Sequence, residues 1–370
     1  MVMVVSQLSK SSRIAILCGG SKEEHELSLQ GGYCMFETLH AKGYSSVAVI
    51  TLGVDPDRRR DELFAALVDV VDSGDAAIGA ASTTLSTRVV PRFDVVVNGL
   101  HGAFGEDGVI QGTLEALRIP YTFSGPATGA IGSDKVLSKR YLAGCGIIKP
   151  VPGGVLYTSQ PLPATLPAGF PLMLKDPVMG CSKGVWKCED REDLERKLKL
   201  CKSPQVLIEQ FIVGTDIVCA CIEGTDGEVA VWPVVEFDMD PTRFQDLASK
   251  NSLWGWAGGD DDGSGAGPSL PLQIIKSCPA TKVPQSICEQ AQAQALAIFK
   301  EMRANGALNV EFRTGPEVDG CKVPLYFIEM SVVPALTDKS VHACCALAGG
   351  LEYPDLVERW LQTARLKSLE

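Results

Sequence analysis

The sequence has little of what several classes of site require. It contains four histidines in 370 residues and no cluster of cysteine and histidine, so a zinc centre is not expected. No stretch approaches the roughly twenty consecutive apolar residues of a membrane span. Residues 1–5 are apolar, but they lack the basic lead-in and the length of a signal-peptide core. These features predict a cytoplasmic protein with no membrane partner.

A basic face and a disulfide framework are also missing. The net charge of −11 disfavours a nucleic-acid partner, because such proteins neutralise phosphates with clustered lysine and arginine. The thirteen cysteines are an odd number without a C-x-x-C pair, and several lie in apolar runs, which favours buried reduced thiols. With 45% hydrophobic and 21% charged residues, the chain is globular and long enough for two or three packed domains.

Alternating strands and helices predict a parallel α/β sheet in the N-terminal part. The predicted strands cover residues 14–18, 46–51, 94–98 and 117–121, and a helix is expected from Leu27. Ligands of such sheets bind beyond the carboxyl ends of the strands. We therefore expect the loops after Cys18 and after Leu100 to form the walls of a site.

The rest of the chain predicts two α+β modules. A proline-rich segment, residues 149–167, breaks the pattern. After it, the predicted strands cover residues 171–175, 184–187, 205–209, 217–222, 228–235, 307–313 and 325–330, with helices at residues 190–200 and 283–304. Residues 253–269, rich in glycine and aspartate, have no periodicity and predict a lid loop.

Two lysines and a glycine-bracketed loop are candidates for phosphate binding. Lys135 lies near a helix start, and Lys175 ends a strand just before the loop at residues 180–184. Backbone amides of such a loop, with two ammonium groups, can cradle phosphates. An ordinary glycine-flanked turn would show the same pattern.

Glu311 and Glu329 lie on two predicted strands joined by a turn-rich segment, so a hairpin would place them side by side. Close carboxylates repel one another unless a cation lies between them, as Mg²⁺ would. The alternative is a pair of exposed strand acids, which the apolar neighbours of both residues disfavour. A strand over residues 206–212 offers backbone hydrogen bonds and apolar side chains to an adenine ring, although a plain edge strand would look the same.

In this order, the segments resemble the ATP-grasp superfamily and most closely the D-alanine:D-alanine ligase family, from residue 14 to residue 360. The motifs that carry the resemblance are Gly19-Gly20, residues 24–29, Leu100-His101-Gly102, residues 105–108, Gln111-Gly112, Ser124-Gly125, Ser133-Asp134-Lys135, Lys139 and Ile208-Glu209. The resemblance implies an α/β, three-domain ATP-grasp fold. Its parts would be an N-terminal substrate-binding parallel α/β domain (1–124), a small central α+β lid domain (125–212) and a C-terminal α+β domain with the metal site (213–370).

The resemblance also implies an activity. ATP, with Mg²⁺ or Mn²⁺, would convert a substrate carboxylate into an acyl phosphate, and a bound amine would displace the phosphate. The substrates would be small amino-acid-type molecules, and the protein would be a homodimer.

Residue roles follow from the same resemblance. The cofactor would contact Lys135, Lys175, Cys181, Ser182, Glu209, Gln210, Phe211, Ile212 and Asp216, and the metal ligands would be Glu311, Glu329 and Ser331. Glu24 would receive the ammonium of the first substrate, and His101 would cover the substrate pocket. Ser340, with Lys339, would hold the carboxylate of the second substrate. Asn309 stands where the family has a catalytic arginine.

The chain departs from the family pattern at several positions. They are Asn309 for arginine, Ser331 for asparagine, Cys181 for serine, Phe244 for tyrosine and Ala335 for glycine. Three hypotheses remain open: a dipeptide-type ligase, a ligase that joins an amino acid to a mycosporine core by activating a ketone oxygen, and a nucleotide-binding module without catalysis. Residues 236–241 with Lys339 and Ser340 favour the second.

Overall fold

The computed structural model describes residues 8–22, 24–72, 87–244, 275–316 and 324–367. The predicted lid, residues 253–269, lies outside these ranges and stays a prediction. Among the described residues, no helix is long and apolar enough to cross a membrane.

The N-terminal part is a parallel three-stranded sheet with helices around it. Its elements are β1 (Ile14–Gly19), α1 (His25–Ala41), β2 (Val47–Leu52), α2 (Pro56–Leu67), β3 (Val68–Asp72), β4 (Thr87–Pro91), β5 (Val95–Asn98) and α3 (Val109–Ala116). The sheet order is β2-β1-β5, and β3 pairs antiparallel with β4. The central strand β1 is buried along its whole length, which explains its uninterrupted apolar run.

The strand predicted at residues 117–121 is wrong. After α3 the chain turns at Arg118, whose φ of 54° is left-handed, and an L-residue in that conformation interrupts extended backbone. The chain then meets the sheet at a single parallel bridge between Tyr121 and Val96, made by the hydrogen bonds of Pro120 and Thr122 with Val96.

The central part is an antiparallel sheet of order β6-β9-β7-β8. Its elements are α4 (Pro126–Gly132), α5 (Lys135–Gly144), β6 (Gly153–Tyr157), β7 (Leu172–Lys175), β8 (Val185–Cys188), α6 (Arg191–Leu198) and β9 (Gln205–Gln210). Asp134 caps α5 by accepting from the amides of Val136 and Leu137, which fixes the position of Lys135. The proline-rich segment contains β6, a strand that the sequence did not predict; the prolines flank it at a sheet edge, where they are tolerated.

The C-terminal part is an antiparallel sheet of order β13-β12-β10-β14-β15, with β11 paired to β10. Its elements are β10 (Asp216–Glu223), β11 (Val229–Val231), β12 (Val235–Asp238), β13 (Ile275–Ser277), α7 (Gln285–Glu301), β14 (Ala307–Thr314), β15 (Leu325–Ser331), α8 (Val341–Ala348) and α9 (Tyr353–Gln362). The strand predicted over residues 228–235 is two short strands, because Pro233 between them has no N–H for a ladder.

The last helix returns to the N-terminal sheet. Tyr44 donates to Glu358 Oε1 at 3.0 Å, and Lys42 pairs with Glu358 Oε2 at 3.1 Å. Trp360, on the same helix, is fully buried and packs edge-on against Phe123. The two ends of the chain are therefore packed together.

Candidate active site

The hairpin of β14 and β15 brings the two predicted acids together. Glu311 lies opposite Glu329 in the register, and Asn309 lies opposite Ser331. Because side chains alternate along a strand, Asn309, Glu311 and Arg313 share one face of β14. This face looks onto two adjoining spaces, which we call the lysine cleft and the His101 cavity.

The lysine cleft lies between the central and C-terminal sheets. Its lining residues include Lys135, Lys175, Ser182, Glu209, Gln210, Phe211, Ile212, Asp216, Phe244, Glu311, Arg313 and Glu329. The His101 cavity is lined by residues that include Glu24, His101, Glu106, Lys135, Cys181, Asn309, Glu311, Glu329, Ser331, Ala335 and Val341. Lys135, Glu311 and Glu329 line both spaces, so the acid pair lies where the two spaces meet.

A buried charge triad supports the lysine cleft. Lys175 Nζ lies 2.7 Å from one oxygen of Glu209, and Lys139 Nζ lies 2.8 Å from the other. Burial pushes the pKa of Glu209 up, but the two ammonium groups outweigh it and hold that pKa below its ordinary value. Burial lowers the pKa of Lys139 to about 8, against the opposing charge of Glu209. Two cations on one anion leave a net charge of +1, which suits a phosphate.

Lys135 connects the lysine cleft to the acid pair. Its Nζ lies 2.9 Å from Glu329 Oε2 and donates to the carbonyl oxygen of Met179 at 2.8 Å. Cys181 and Ser182 have left-handed φ angles of 51° and 60°. Successive residues in such a turn can direct their amides to one side and bind an anion.

Arg313 is a cleft residue that the sequence reasoning missed. Its Nη1 donates to Asp216 Oδ1 and its Nε to the carbonyl oxygen of Ile212, both at 2.6 Å. Its guanidinium also lies 5.4 Å from the ring centroid of Phe211. Asp216, expected near a ribose, is therefore charge-paired within the cleft wall. The signal was available, since Arg313 stands two residues after Glu311 on the same strand face.

The floor of the His101 cavity is acidic. Cys181 Sγ lies 2.8 Å from Glu24 Oε1, and His101 Nδ1 lies 3.8 Å from Glu106 Oε1. Burial raises the pKa of Glu24, and the charge of Glu106 raises it further, against His101 and Cys181. Burial pushes the pKa of His101 down, but Glu106 outweighs it, so this pKa lies above its ordinary value. The carboxyl groups of Glu24 and Glu106 suit a ligand with an ammonium group.

The backbone leaves room for this contact. A Cβ added at Gly180 would lie 2.8 Å from Glu24 Oε1, which is closer than van der Waals contact allows. A side chain there would displace the Glu24 carboxylate, so glycine at this position lets Glu24 and Cys181 stay in contact.

Two predicted residues are engaged with the chain itself. Ser331 Oγ donates to the carbonyl oxygen of Val333 at 2.9 Å, and its role as a metal ligand stays a prediction. Ser340 Oγ accepts from the amide of Ala343 at 3.0 Å and caps α8. The role of Ser340 in holding the carboxylate of the second substrate stays a prediction; Ser340 is buried, and the neighbouring Val341 lines the His101 cavity.

The acid pair fits a magnesium-type ion better than a metal held by protein ligands alone. Among the described residues, no group of three or more His, Cys, Asp or Glu side chains is arranged to hold a metal. Mg²⁺ characteristically takes one or two carboxylates and completes its shell with water and substrate phosphates. Glu311 and Glu329 match that ligand set, because they lie beside the lysine cleft, whose positive charge suits phosphates.

Two sheets that enclose a lysine-lined cleft, with an acid pair on the adjoining hairpin, define an ATP-dependent ligase of the ATP-grasp class. Comparison with protein families identifies which branch of this class it is. The family described as "D-ala D-ala ligase N-terminus" matches residues 13–124, and "D-ala D-ala ligase C-terminus" matches residues 163–259.

Individual relatives agree along the whole chain. The D-alanine–D-alanine ligase of Thermotoga maritima is 30% identical over 357 residues, which cover 96% of this chain and 98% of that protein. The corresponding ligase of Desulforudis audaxviator is 29% identical over 362 residues, covering 95% and 98%. The chain therefore belongs to the D-alanine–D-alanine ligase family.

Solved structures show the same fold. The D-alanine–D-alanine ligase from Coxiella burnetii superimposes with a TM-score of 0.69 at 21% identity, over 96% of this chain and 94% of that one. The Bacillus anthracis ligase, solved as a complex with ATP, gives 0.68 at 24% identity, over 96% and 97%. The expected ATP-grasp fold is confirmed.

Proposed function

We propose that this protein joins two amino-acid-type substrates, with D-alanine as the first candidate for both, and converts ATP to ADP and phosphate. One observation carries the proposal. Glu311 and Glu329 face each other at the junction of a cleft suited to a nucleotide and a cavity suited to an ammonium group. At that junction, a phosphoryl group bound in the cleft would lie within reach of a carboxylate bound in the cavity.

The lysine cleft is proposed to hold ATP. Lys135 and Lys175 would contact the phosphates, with the amides around Cys181 and Ser182. The adenine would lie against Phe211 and its neighbours Gln210 and Ile212, whose carbonyl is held by Arg313. Glu209 supports this arrangement, because its carboxylate forms a buried ion pair with Lys175 and holds that side chain in place.

Mg²⁺, or Mn²⁺ in its place, would be held by Glu311 and Glu329. When bound, such an ion neutralises phosphate charge and orients the transferred group. Lys135, in contact with Glu329, would hold that carboxylate in position while its own charge faces the phosphates.

The His101 cavity is proposed to hold the amino acids. The first would place its ammonium group at Glu24, which the Cys181 thiol holds in place. Its carboxylate oxygen would then attack the γ-phosphorus, and ADP would leave. The amine of the second substrate would attack the acyl carbon, and phosphate would leave with the carboxylate oxygen. His101 lies over Glu24 and Glu106 and would balance their charge.

We also propose the domain boundaries 124/125 and 212/213, a homodimer and a cytoplasmic location. The four described sheets support the boundaries, since each lies within one proposed domain: β2-β1-β5 and β3-β4 in the first, β6-β9-β7-β8 in the second and the six-stranded sheet in the third. Limited proteolysis, light scattering and cell fractionation would test the three statements in turn.

The test is ADP release measured by a coupled assay across D- and L-amino acid pairs, and then with a mycosporine acceptor. We expect release with D-alanine that depends on Mg²⁺ and is lost with a chelator. Release only with the mycosporine acceptor would support the ketone-activating alternative. ATP binding without turnover on any substrate would identify a non-catalytic module and refute the proposal.

A further inference from the structure

A buried histidine holds one side chain of the substrate cavity. Asn309 lines the His101 cavity, and its Oδ1 lies 2.8 Å from Nδ1 of His342 on α8. Nothing in the proposed function uses His342. It is fully buried, and its ring packs edge-on against Trp360 with centroids 5.5 Å apart.

The chemistry of this contact fixes the direction of the hydrogen bond. An amide oxygen can only accept, so Nδ1 of His342 carries the proton and donates to Asn309 Oδ1. Burial lowers the pKa of His342 to about 3, so the ring is neutral at any working pH. Its Nε2 then carries no proton, and this is the ring atom that has no hydrogen-bond partner in the described structure.

With Oδ1 taken, the amide nitrogen of Asn309 becomes a donor of fixed orientation at the cavity wall. The histidine cannot swing away, because Ser340 caps the start of its helix and Trp360 packs against its ring. A lone asparagine on a strand could rotate its amide freely about its terminal bond. In Asn309, the hydrogen bond from His342 fixes which side of the amide carries the oxygen and which carries the nitrogen.

The location of the donor suggests what it binds. Asn309 and Glu311 are two residues apart on one strand face, which places their side chains about 7 Å apart. Glu311 marks the point of phosphoryl transfer, and Asn309 lies beside it in the cavity, opposite Ser331. A carboxyl group bound on the cavity side of the junction would therefore lie within reach of Asn309.

We propose that His342 is a positioning residue, which orients Asn309 so that Nδ2 donates to an oxygen of the substrate carboxyl group while the amide bond forms. The inference rests on the proposed function and adds two residues to it. Negative charge grows on that oxygen when the amine adds to the acyl carbon, and a fixed donor stabilises the growing charge. A neutral amide binds the uncharged carbonyl only weakly, so its effect falls on the second step.

The test separates the two chemical steps. Acyl phosphate formation is followed by rapid quench as ADP formed in the first turnover, and ligation is followed as dipeptide formed. Asn309→Ala should lower kcat for dipeptide about 100-fold and change acyl phosphate formation less than about threefold. His342→Phe, which keeps a ring but no donor, should lower kcat about tenfold with KM for both substrates nearly unchanged.

Two further variants test the coupling. His342→Gln retains a donor and should recover activity to within about threefold of the wild type. Because His342 acts through Asn309, the double variant should be no slower than Asn309→Ala alone. His40→Phe, an exposed histidine on α1, is the matched control and should leave both steps unchanged. Melting temperatures are recorded for every variant.

The outcomes are distinguishable. A wild type that forms no dipeptide or acyl phosphate refutes the proposed function, and the inference falls with it. An active wild type with additive losses in the double variant, or with both steps falling in proportion to a lower melting temperature, refutes the positioning role alone. Variants with wild-type kinetics refute it as well.

Discussion

The lysine cleft and the His101 cavity differ in how closely they keep the family pattern. The cleft has the lysines and acids that the resemblance implies, and among the departures only Phe244 lines it. The other departures, at Cys181, Asn309, Ser331 and Ala335, all line the cavity. On the proposed function, different walls of one site would carry nucleotide chemistry and substrate recognition. The departures from the family pattern then concentrate in the wall proposed to contact substrate.

The acid pair at the junction should give the largest effect, because both halves depend on it. Glu329→Gln removes one carboxylate charge and weakens the contact with Lys135. We expect Mg²⁺-dependent ADP formation to fall about a thousandfold, with the melting temperature nearly unchanged. Glu228→Gln, at an exposed glutamate, is the control. An unchanged rate would show that Glu329 is not a metal ligand and would contradict a shared metal site between the lysine cleft and the His101 cavity.

The second effect belongs to the cleft alone. Lys175→Met leaves Glu209 with one of its two cations, Lys139. We expect KM for ATP to rise about thirtyfold while KM for D-alanine changes little. Removing one partner from a buried ion pair costs up to ~3–5 kcal/mol, and the remaining lysine should keep the loss of unfolding free energy near ~2 kcal/mol. Lys199→Met, at an exposed lysine, is the control; an equal rise in both KM values would contradict a separate nucleotide wall.

The third effect belongs to the cavity alone. Cys181 contacts Glu24 through its thiol, and losing a hydrogen bond to a charged group costs ~1.5 kcal/mol. Cys181→Ala should therefore raise KM for the first substrate about tenfold and leave KM for ATP unchanged. Cys181→Ser keeps a donor and should stay within about threefold of the wild type. A shift confined to KM for ATP would place Cys181 in the cleft instead.

The smallest effect is a pH dependence of the cleft. The pKa of Lys139 is lowered to about 8, so its charge is lost as pH rises through 8, and the net charge of the triad falls from +1 to zero. KM for ATP should rise about threefold between pH 7 and pH 9, and Lys139→Met should abolish this titration.

The same titration of Lys139 should raise the unfolding free energy between pH 8 and 10.5, while it weakens ATP binding. The unfolded chain has Lys139 at its ordinary pKa of 10.5 and binds more protons than the folded chain between pH 8 and 10.5. The contribution of this group to the unfolding free energy therefore rises with pH in that window. A melting temperature that fell together with ATP affinity would show that unfolding, rather than the triad, causes the change.

Much of this arrangement is readable in the sequence, because buried strands and paired acids leave local patterns. The runs around Glu311 and Glu329 predicted the hairpin, and β14 and β15 pair them as expected. The strand β6 was missed since prolines on both sides mask a strand at a sheet edge. His342 could not be found, because its partner Asn309 is thirty-three residues away and only packing of α8 on the sheet brings them together.

The most direct test of the central claim is the fate of the substrate carboxylate oxygen. With D-alanine labelled by ¹⁸O in its carboxylate, ATP and Mg²⁺, the account predicts one labelled oxygen in each phosphate released with dipeptide. Phosphate without label, at a rate that matches ADP formation, would show that no acyl phosphate forms and would contradict the assignment of the junction at Glu311 and Glu329.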